Sequence, residues 1–328
     1  MATAAHAVRM YEHGGPEVLR YEDIEVASPG PQEVRIRHEA IGLNFADTYS
    51  RTGLYPAKLP TGIGVEAAGV IVEVGDAVTE FRIADRVTYT GSAPGAYSTE
   101  RTMKVTSLIA LPDSIPSDTA AAMTMRGLTS AYLLRRIWPL AGGDAVLFHA
   151  AAGGVGSIFT QWARLLGIRV IGTVSNDTKA ELARANGCTD VINSTTQDVA
   201  ATVRELTDGA GVRVVYDGVG RDTIDISLSC LARRGLLVCL GTASGPVRPI
   251  APPELVMRGS LYVTRPALAD YIANRAERSE LVGELFDHVG AGRITVEINQ
   301  RYRLADAAEA HRDLESRRTT GSSVFTVD

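Results

Sequence analysis

The stretch Asp144-Ala-Val-Leu-Phe-His-Ala-Ala-Ala-Gly-Gly-Val-Gly156 restricts what this 328-residue chain can fold into more than any other segment. Val146, Leu147 and Phe148 form a short apolar run, the pattern of a parallel strand buried on both faces. A turn of small residues follows, Ala151 to Gly156, and then Ile158, Phe159, Trp162, Ala163, Leu165 and Leu166 recur at helical spacing. Strand, glycine turn and helix in that order are the setting required of a dinucleotide fingerprint. Gly153 lets backbone approach a pyrophosphate, and Gly156 lets the helix pack closely on the strand. The helix N-terminus adds unpaired N–H groups and the positive end of its dipole. Ala151 stands in place of the first glycine, so the match reads A-x-G-x-x-G.

The next strand, Arg169 to Val174, ends about 20 residues past Gly153, where an NAD site places a ribose-binding carboxylate. Here the chain reads Ser175-Asn-Asp-Thr-Lys179, with no acid at the strand end and a lysine close behind. A 2′-phosphate calls for hydroxyl, amide and cationic donors, so this composition favours NADP(H). Asp177 points the other way, because it could accept from a 2′-hydroxyl, and most lysines on a helix are merely solvated.

Residues 1 to about 125 read as β-rich, with alternation in Val34-Arg-Ile-Arg-His38 and short strands at Gly69–Gly75 and Asp85–Tyr89 between proline and glycine turns. From Gly127 strands alternate with helical segments: Ala145–Phe148, Arg169–Val174, Val191–Asn193, Val212–Tyr216, Gly235–Leu240 and Ser260–Val263. That alternation predicts a parallel sheet with helices on both faces. A tail helix over Leu304–Glu315 and a strand over Ser323–Val327 need a sheet to join, and the N-terminal domain is the expected host. The expected fold is therefore α/β, a doubly wound Rossmann sheet over 127–266 inserted into a β-rich domain formed by 1–126 and 267–328.

Hydrophobic residues make up 45% and charged residues 22%, and the net charge of −5 does not favour nucleic acid. No apolar run is long enough to span a bilayer, and Met1-Ala-Thr-Ala-Ala-His6 carries no signal-peptide pattern, so the cytoplasm is the expected compartment. Cys188, Cys230 and Cys239 are too few and too widely spaced for a disulfide framework or a metal clip.

Several segments together carry a resemblance that covers the whole length. They are His13-Gly-Gly-Pro-Glu-Val-Leu19, Gly42-Leu-Asn-Phe-Ala-Asp-Thr-Tyr49, Gly53-Leu-Tyr-Pro56, Gly62-Ile-Gly-Val-Glu-Ala-Ala-Gly69, Arg126-Gly-Leu-Thr129, Phe148 to Gly156, Val215-Tyr-Asp-Gly-Val-Gly220, Val263-Thr-Arg-Pro266 and Glu315-Ser-Arg317. With these the chain resembles the medium-chain dehydrogenase/reductases, and within them the zinc-free NADPH:quinone oxidoreductases related to zeta-crystallin. The β-rich domain is then expected to be GroES-like. Asn44 stands where zinc-dependent members carry a cysteine, and Val65 where they carry a histidine. With no cysteine before residue 188 a tetrahedral zinc site has nothing to be built from, and no metal is expected.

Without a Lewis acid, simple ketones are poor substrates, whereas a quinone or enone can take hydride when held against the nicotinamide. The resemblance implies that Asn44, Tyr49 and Tyr55 lie at the nicotinamide end of the cleft, Asn44 positioning and the tyrosines stacking or donating a proton. Taken alone, each tyrosine is as readily a packing residue. The resemblance also implies NADPH contacts from Asn44, Thr129, Gly153, Gly154, Val155, Gly156, Ser175, Lys179, Ser194, Gly241 and Arg317, and a place for Arg265 near the substrate mouth. Relatives often have tyrosine where Ser194 stands and serine where Gly218 stands, which leaves the strength of NADPH binding open. Asp47 reads as a helix cap and His149 as a packing residue of the nucleotide domain. The expected activity is NADPH-dependent quinone reduction. The alternatives are reduction of an enone, alkenal or acrylyl thioester, or a non-catalytic, crystallin-like NADPH-binding protein. A homodimer is expected, because Ser260–Thr264 reads as an edge strand and relatives pair that edge.

Overall fold

The computed structural model describes residues 3–91 and 93–327; Met1, Ala2, Ser92 and Asp328 lie outside it. The chain divides into two compact units, Met1–Met125 with Val296–Asp328, and Arg126–Thr295.

In the first unit the long strand Glu33–Gly42 organises the β structure. Val34, Ile36 and His38 face inward and alternate with Arg35, Arg37 and Glu39, as the period-two pattern requires. One edge of this strand pairs antiparallel with Ala67–Val74. The other is shared, Glu100–Lys104 taking Glu33–Arg37 and the tail strand Ser322–Thr326 taking Ala40–Gly42. The tail thus joins the first sheet. It is flanked in parallel by Ile298–Arg303, a half-exposed strand of mostly polar residues that offers no apolar alternation to read. Arg86–Tyr89 and Ile109–Ala110 complete the sheet, and Arg20–Val26, Thr3–Met10 and Thr61–Gly62 form a second, three-stranded one. Ile36, Ile41, Leu43, Tyr89, Tyr97 and Phe325 share one core with Ala307, Ala310 and Leu314 of the helix Ala307–Glu315.

The second unit holds a six-stranded, wholly parallel sheet ordered Asp190–Asn193, Arg169–Val174, Ala145–Phe148, Val212–Asp217, Leu231–Cys239, Tyr262–Thr264. In chain order that is 3-2-1-4-5-6, the doubly wound arrangement, whose direction reverses between Ala145–Phe148 and Val212–Asp217. Ligands of such sheets bind outside the carboxyl ends of the strands at that reversal. The helices Gly154–Leu165, Asp177–Ala185, Val199–Leu206 and Ile224–Cys230 connect successive strands.

Residues 267–295, expected from the sequence in the first domain, group instead with the second unit. The helix Arg275–Gly290 buries Leu281 and Leu285, and Leu285 lies so close to Gly127 that a Cβ there would meet its Cδ2 at 2.5 Å. Ion pairs from Arg135 to Glu284 and from Arg136 to Glu280 flank the contact. Two hydrogen bonds between Gln161 and Thr295, 3.0 and 2.8 Å, close the segment.

Candidate active site

The residues singled out from the sequence fall into two sets, one in each unit. In the second unit Gly153 is the N-cap of the helix Gly154–Leu165. The opening N–H groups of a helix have no partner within it, and here they follow directly from the carboxyl end of a central strand. Gly156 is required by contact: a Cβ would stand 2.5 Å from the Ala151 carbonyl oxygen. Gly153 itself has only the Ala150 oxygen, 3.1 Å from where a Cβ would be. The adjoining helix Ser117–Arg135 reaches the turn through Ser130, whose hydroxyl donates to the Arg126 carbonyl at 2.9 Å and approaches that of Val155 at 3.4 Å. Thr129, beside it, is buried.

At the end of Arg169–Val174, Ser175 is exposed and Asn176 caps the next helix, its side chain accepting from the Lys179 N–H at 2.9 Å. Asp177 accepts from the Asn193 side-chain amide at 3.0 Å, so its carboxylate is turned to the neighbouring strand end. Ser194 follows Asn193, with both its N–H and its hydroxyl on the Val174 carbonyl. Ser175, Lys179 and Ser194 thus gather at one strand end, where exposed Asp177 is hydrogen-bonded to Asn193, and the hydroxyls and lysine there suit a 2′-phosphate better than a bare ribose diol. Gly241 packs on Gly218, where a Cβ would come within 2.6 Å of the Gly218 carbonyl oxygen. Arg265 is exposed and donates to the Cys239 and Gly241 carbonyls at 3.3 and 3.2 Å, bracing the same strand end. His149 is fully buried rather than exposed on the turn.

In the first unit Asn44 precedes the helix Phe45–Arg51, and its backbone N–H donates to Asp47 Oδ2 at 2.8 Å. Asp47 is therefore the cap partner that its spacing predicts. The Asn44 side-chain amide donates to Glu66 Oε2 at 2.7 Å, while Glu66 Oε1 accepts from the Met125 N–H at 2.6 Å. Glu66 fixes which way the Asn44 amide points, and a Cβ at Gly42 would stand 2.5 Å from Glu66 Oε2. Tyr49 is buried and meets half-exposed Tyr55 edge to face, centroids 5.3 Å apart, with the Tyr55 N–H on the Tyr49 carbonyl.

The same helix is tied at its far end. Tyr97 donates to Asp47 Oδ2 at 2.9 Å and lies 3.2 Å from His311 Nε2. The other His311 nitrogen accepts from Arg51 at 3.0 Å, so Nε2 carries the ring proton and donates to Tyr97. Burial, and then the Arg51 charge, lower the His311 pKa to about 3. Arg51, 1% exposed, also holds Glu315 at 2.7 Å and the Gly14 carbonyl at 3.1 Å. Arg317 lies just past that Glu315 end, exposed, with φ 60°. Glu66, Tyr97, Arg51 and His311 were not singled out from the sequence; only Glu66, next to Val65, stood in a segment that drew notice.

The donors present do not suit zinc. Asn44 and Glu66 are spent on each other. Among the described residues no three His, Cys, Asp or Glu side chains converge. Burial pushes the thiols of Cys188 and Cys230 up to about 12 and that of Cys239 up to about 11.

Residues 30–113 match the Alcohol dehydrogenase GroES-like domain family, and residues 154–279 match the Zinc-binding dehydrogenase family. The chain is 51% identical to a quinone oxidoreductase of Pseudomonas aeruginosa over 98% of its own length and 99% of that protein. It is 46% identical to a 2-haloacrylate reductase of a Burkholderia species, over 97% and 98% of the two chains. Its fold superposes on the crystal structure of Escherichia coli quinone oxidoreductase complexed with NADPH with a TM-score of 0.96, at 46% identity, covering 98% and 99%.

Proposed function

Because the chain belongs to the zinc-free quinone oxidoreductases of the medium-chain dehydrogenase/reductase superfamily, we propose that it reduces a quinone, or a similarly electron-poor conjugated carbonyl, at the expense of NADPH. The observation that carries this reading is the glycine turn at a helix N-terminus on the carboxyl edge of a doubly wound sheet, beside a strand end followed by Lys179, with Asp177 hydrogen-bonded to Asn193. Gly153, Gly154, Val155 and Gly156 offer backbone donors to the pyrophosphate. Thr129 and Gly241 serve the nicotinamide side. Ser175, Lys179 and Ser194 serve the 2′-phosphate, and the family resemblance assigns the same role to Arg317. NADPH supplies the hydride when bound.

The remaining chemistry belongs to the first unit. Asn44, with its amide locked by Glu66, orients the reacting groups, and Tyr49 and Tyr55 present an aromatic surface and a hydroxyl donor to the acceptor oxygen as charge develops on it. Tyr55, half exposed, offers its ring to a flat acceptor, and Arg265 contributes at the substrate mouth. Nothing in this donor set polarises a carbonyl strongly, which is why an acceptor already activated by conjugation suits it. The 2-haloacrylate reductase relative favours a second reading, an activated carbon–carbon double bond as the acceptor.

A homodimer, formed through the sheet edge Tyr262–Thr264, and a cytoplasmic setting accompany the proposal. Among the described residues no helix is long and apolar enough to cross a membrane. The cofactor assignment is tested by Lys179→Ala combined with Arg317→Ala. The KM for NADPH should rise about tenfold or more while NADH kinetics change little, since charged hydrogen bonds of roughly 1.5–3 kcal/mol each are lost. Unchanged NADPH kinetics would refute the placement, and an unaltered enzyme that prefers NADH would refute the choice of cofactor.

A further inference from the structure

Ala150 opens the glycine turn in the left-handed region, with φ 55°. A residue with a Cβ is strained there, and such strain persists only where the surroundings over-determine it. Besides the backbone bonds from Gly153 to Ala150 and from His149 to Tyr216, at 2.9 and 3.0 Å, one threonine supplies the restraint. Thr173, on the adjacent strand Arg169–Val174, takes the Ala150 N–H on its hydroxyl at 3.3 Å and the Ala151 N–H on its carbonyl at 3.0 Å.

Thr173 is the first member of a buried chain. Its hydroxyl lies 3.0 Å from His149 Nδ1, His149 Nε2 lies 3.0 Å from the Ser227 hydroxyl, and Ser227 donates to Asp217 Oδ2 at 2.7 Å. Asp217 sets the direction of every bond. Its two oxygens also accept from the Val219 and Gly220 N–H groups and the Thr223 hydroxyl, at 2.8 to 2.9 Å, so it acts as an acceptor throughout. The Ser227 proton is committed to Asp217, and Ser227 must therefore accept from His149 Nε2–H. Nδ1 is left bare, and the Thr173 hydroxyl donates to it. Thr173 then has lone pairs only for Ala150.

The chain crosses three neighbouring strands at their carboxyl ends, joining the turn at 150–153 to the turn at 217–220. Thr173, His149, Ser227 and Asp217 are 4%, 2%, 0% and 1% exposed, so they lie beneath the surface where a ligand of this sheet binds and do not line it. We propose that Thr173, His149 and Ser227 are positioning residues for the coenzyme, holding the phosphate-facing amides of the glycine turn in a conformation that the turn does not adopt unaided. The proposal rests on the cofactor reading above.

The test is titration of the full-length protein with NADPH, followed by nucleotide fluorescence, alongside steady-state kinetics and thermal unfolding without ligand. Thr173→Val keeps shape and strand preference but removes the hydroxyl. Ser227→Ala, on a helix where alanine is favoured, interrupts the chain from the other end. Both should weaken NADPH binding about tenfold, the weight of roughly one hydrogen bond, with the loss in KM for NADPH rather than in kcat. Thr173→Ser, which restores the hydroxyl, should recover the affinity. NADPH affinity unchanged in both Thr173→Val and Ser227→Ala, with only the unfolding temperature lowered, would overturn the proposal by making the chain purely structural. Failure of the unaltered protein to bind NADPH would overturn the cofactor reading, and this inference with it.

Discussion

Arg51 and Asp47 sit one turn apart on the same short helix, yet their charges are joined by way of His311 and Tyr97. Both charges are buried, and a buried charge is tolerated only when it is paired and hydrogen-bonded. The helix that begins at Asn44 is thereby held at both ends. Tyr97→Phe deletes the one hydroxyl that connects Asp47 to His311 while preserving the ring packing on Phe325. It should cost about 1–3 kcal/mol of unfolding free energy in urea, the usual result of stripping a buried partner. A loss below about 0.5 kcal/mol would mean that the bond contributes little. The cap role of Asp47 could be read from a few consecutive residues, whereas Tyr49 and Tyr55 stood out only through the family resemblance. His311 could be read from neither, because it lies 260 positions from Arg51 in an ordinary helical pattern and only folding brings the two together.

Among the elements, the strand Tyr262–Thr264 has a neighbour on one side only. Among the described residues no strand pairs with its other edge, and Tyr262 at 53%, with Val256 at 68% and Met257 at 86% on the preceding helix, are exposed apolar residues. If two copies pair along this edge, Val263→Lys should convert a dimer to a monomer in sedimentation velocity, the charge being stranded at the contact. A wild-type protein that sediments as a monomer at micromolar concentration would refute the pairing. The strand itself was legible from its short β-branched run, and the glycine turn from its place between strand and helix. The helix Arg275–Gly290 was legible neither as an element nor as a member of the second unit. Its inward residues Leu281 and Leu285 declare a buried face, but no local pattern states what covers it. The partner surface is Gly127 and its neighbours, more than 150 positions earlier.

For the molecule as a whole, buried neutral histidines set an acid limit on stability. Burial lowers the pKa of His38 to about 4 and that of His311 to about 3, and lowers that of His149 as well. The unfolded chain titrates these rings near 6.5, so below that pH it takes up protons that the native state refuses. Stability is complete above about pH 6.5 and declines as the pH falls toward the native values, by about 2 kcal/mol at pH 5 for each of His38 and His311. The urea midpoint should therefore drop clearly between pH 7 and pH 5. An unchanged midpoint would show that these rings are charged in the native state.

Sequence alone determined the class of fold, the strand–glycine–helix turn and the family, because apolar periodicity, turn chemistry and helix capping act over a few residues and are written locally. Tertiary structure alone decided the polar connections beneath those features. Thr173, His149, Ser227 and Asp217 lie on separate elements, as do Arg51, Tyr97 and His311. A buried donor can be matched with its acceptor only once the layers that exclude water have closed around both.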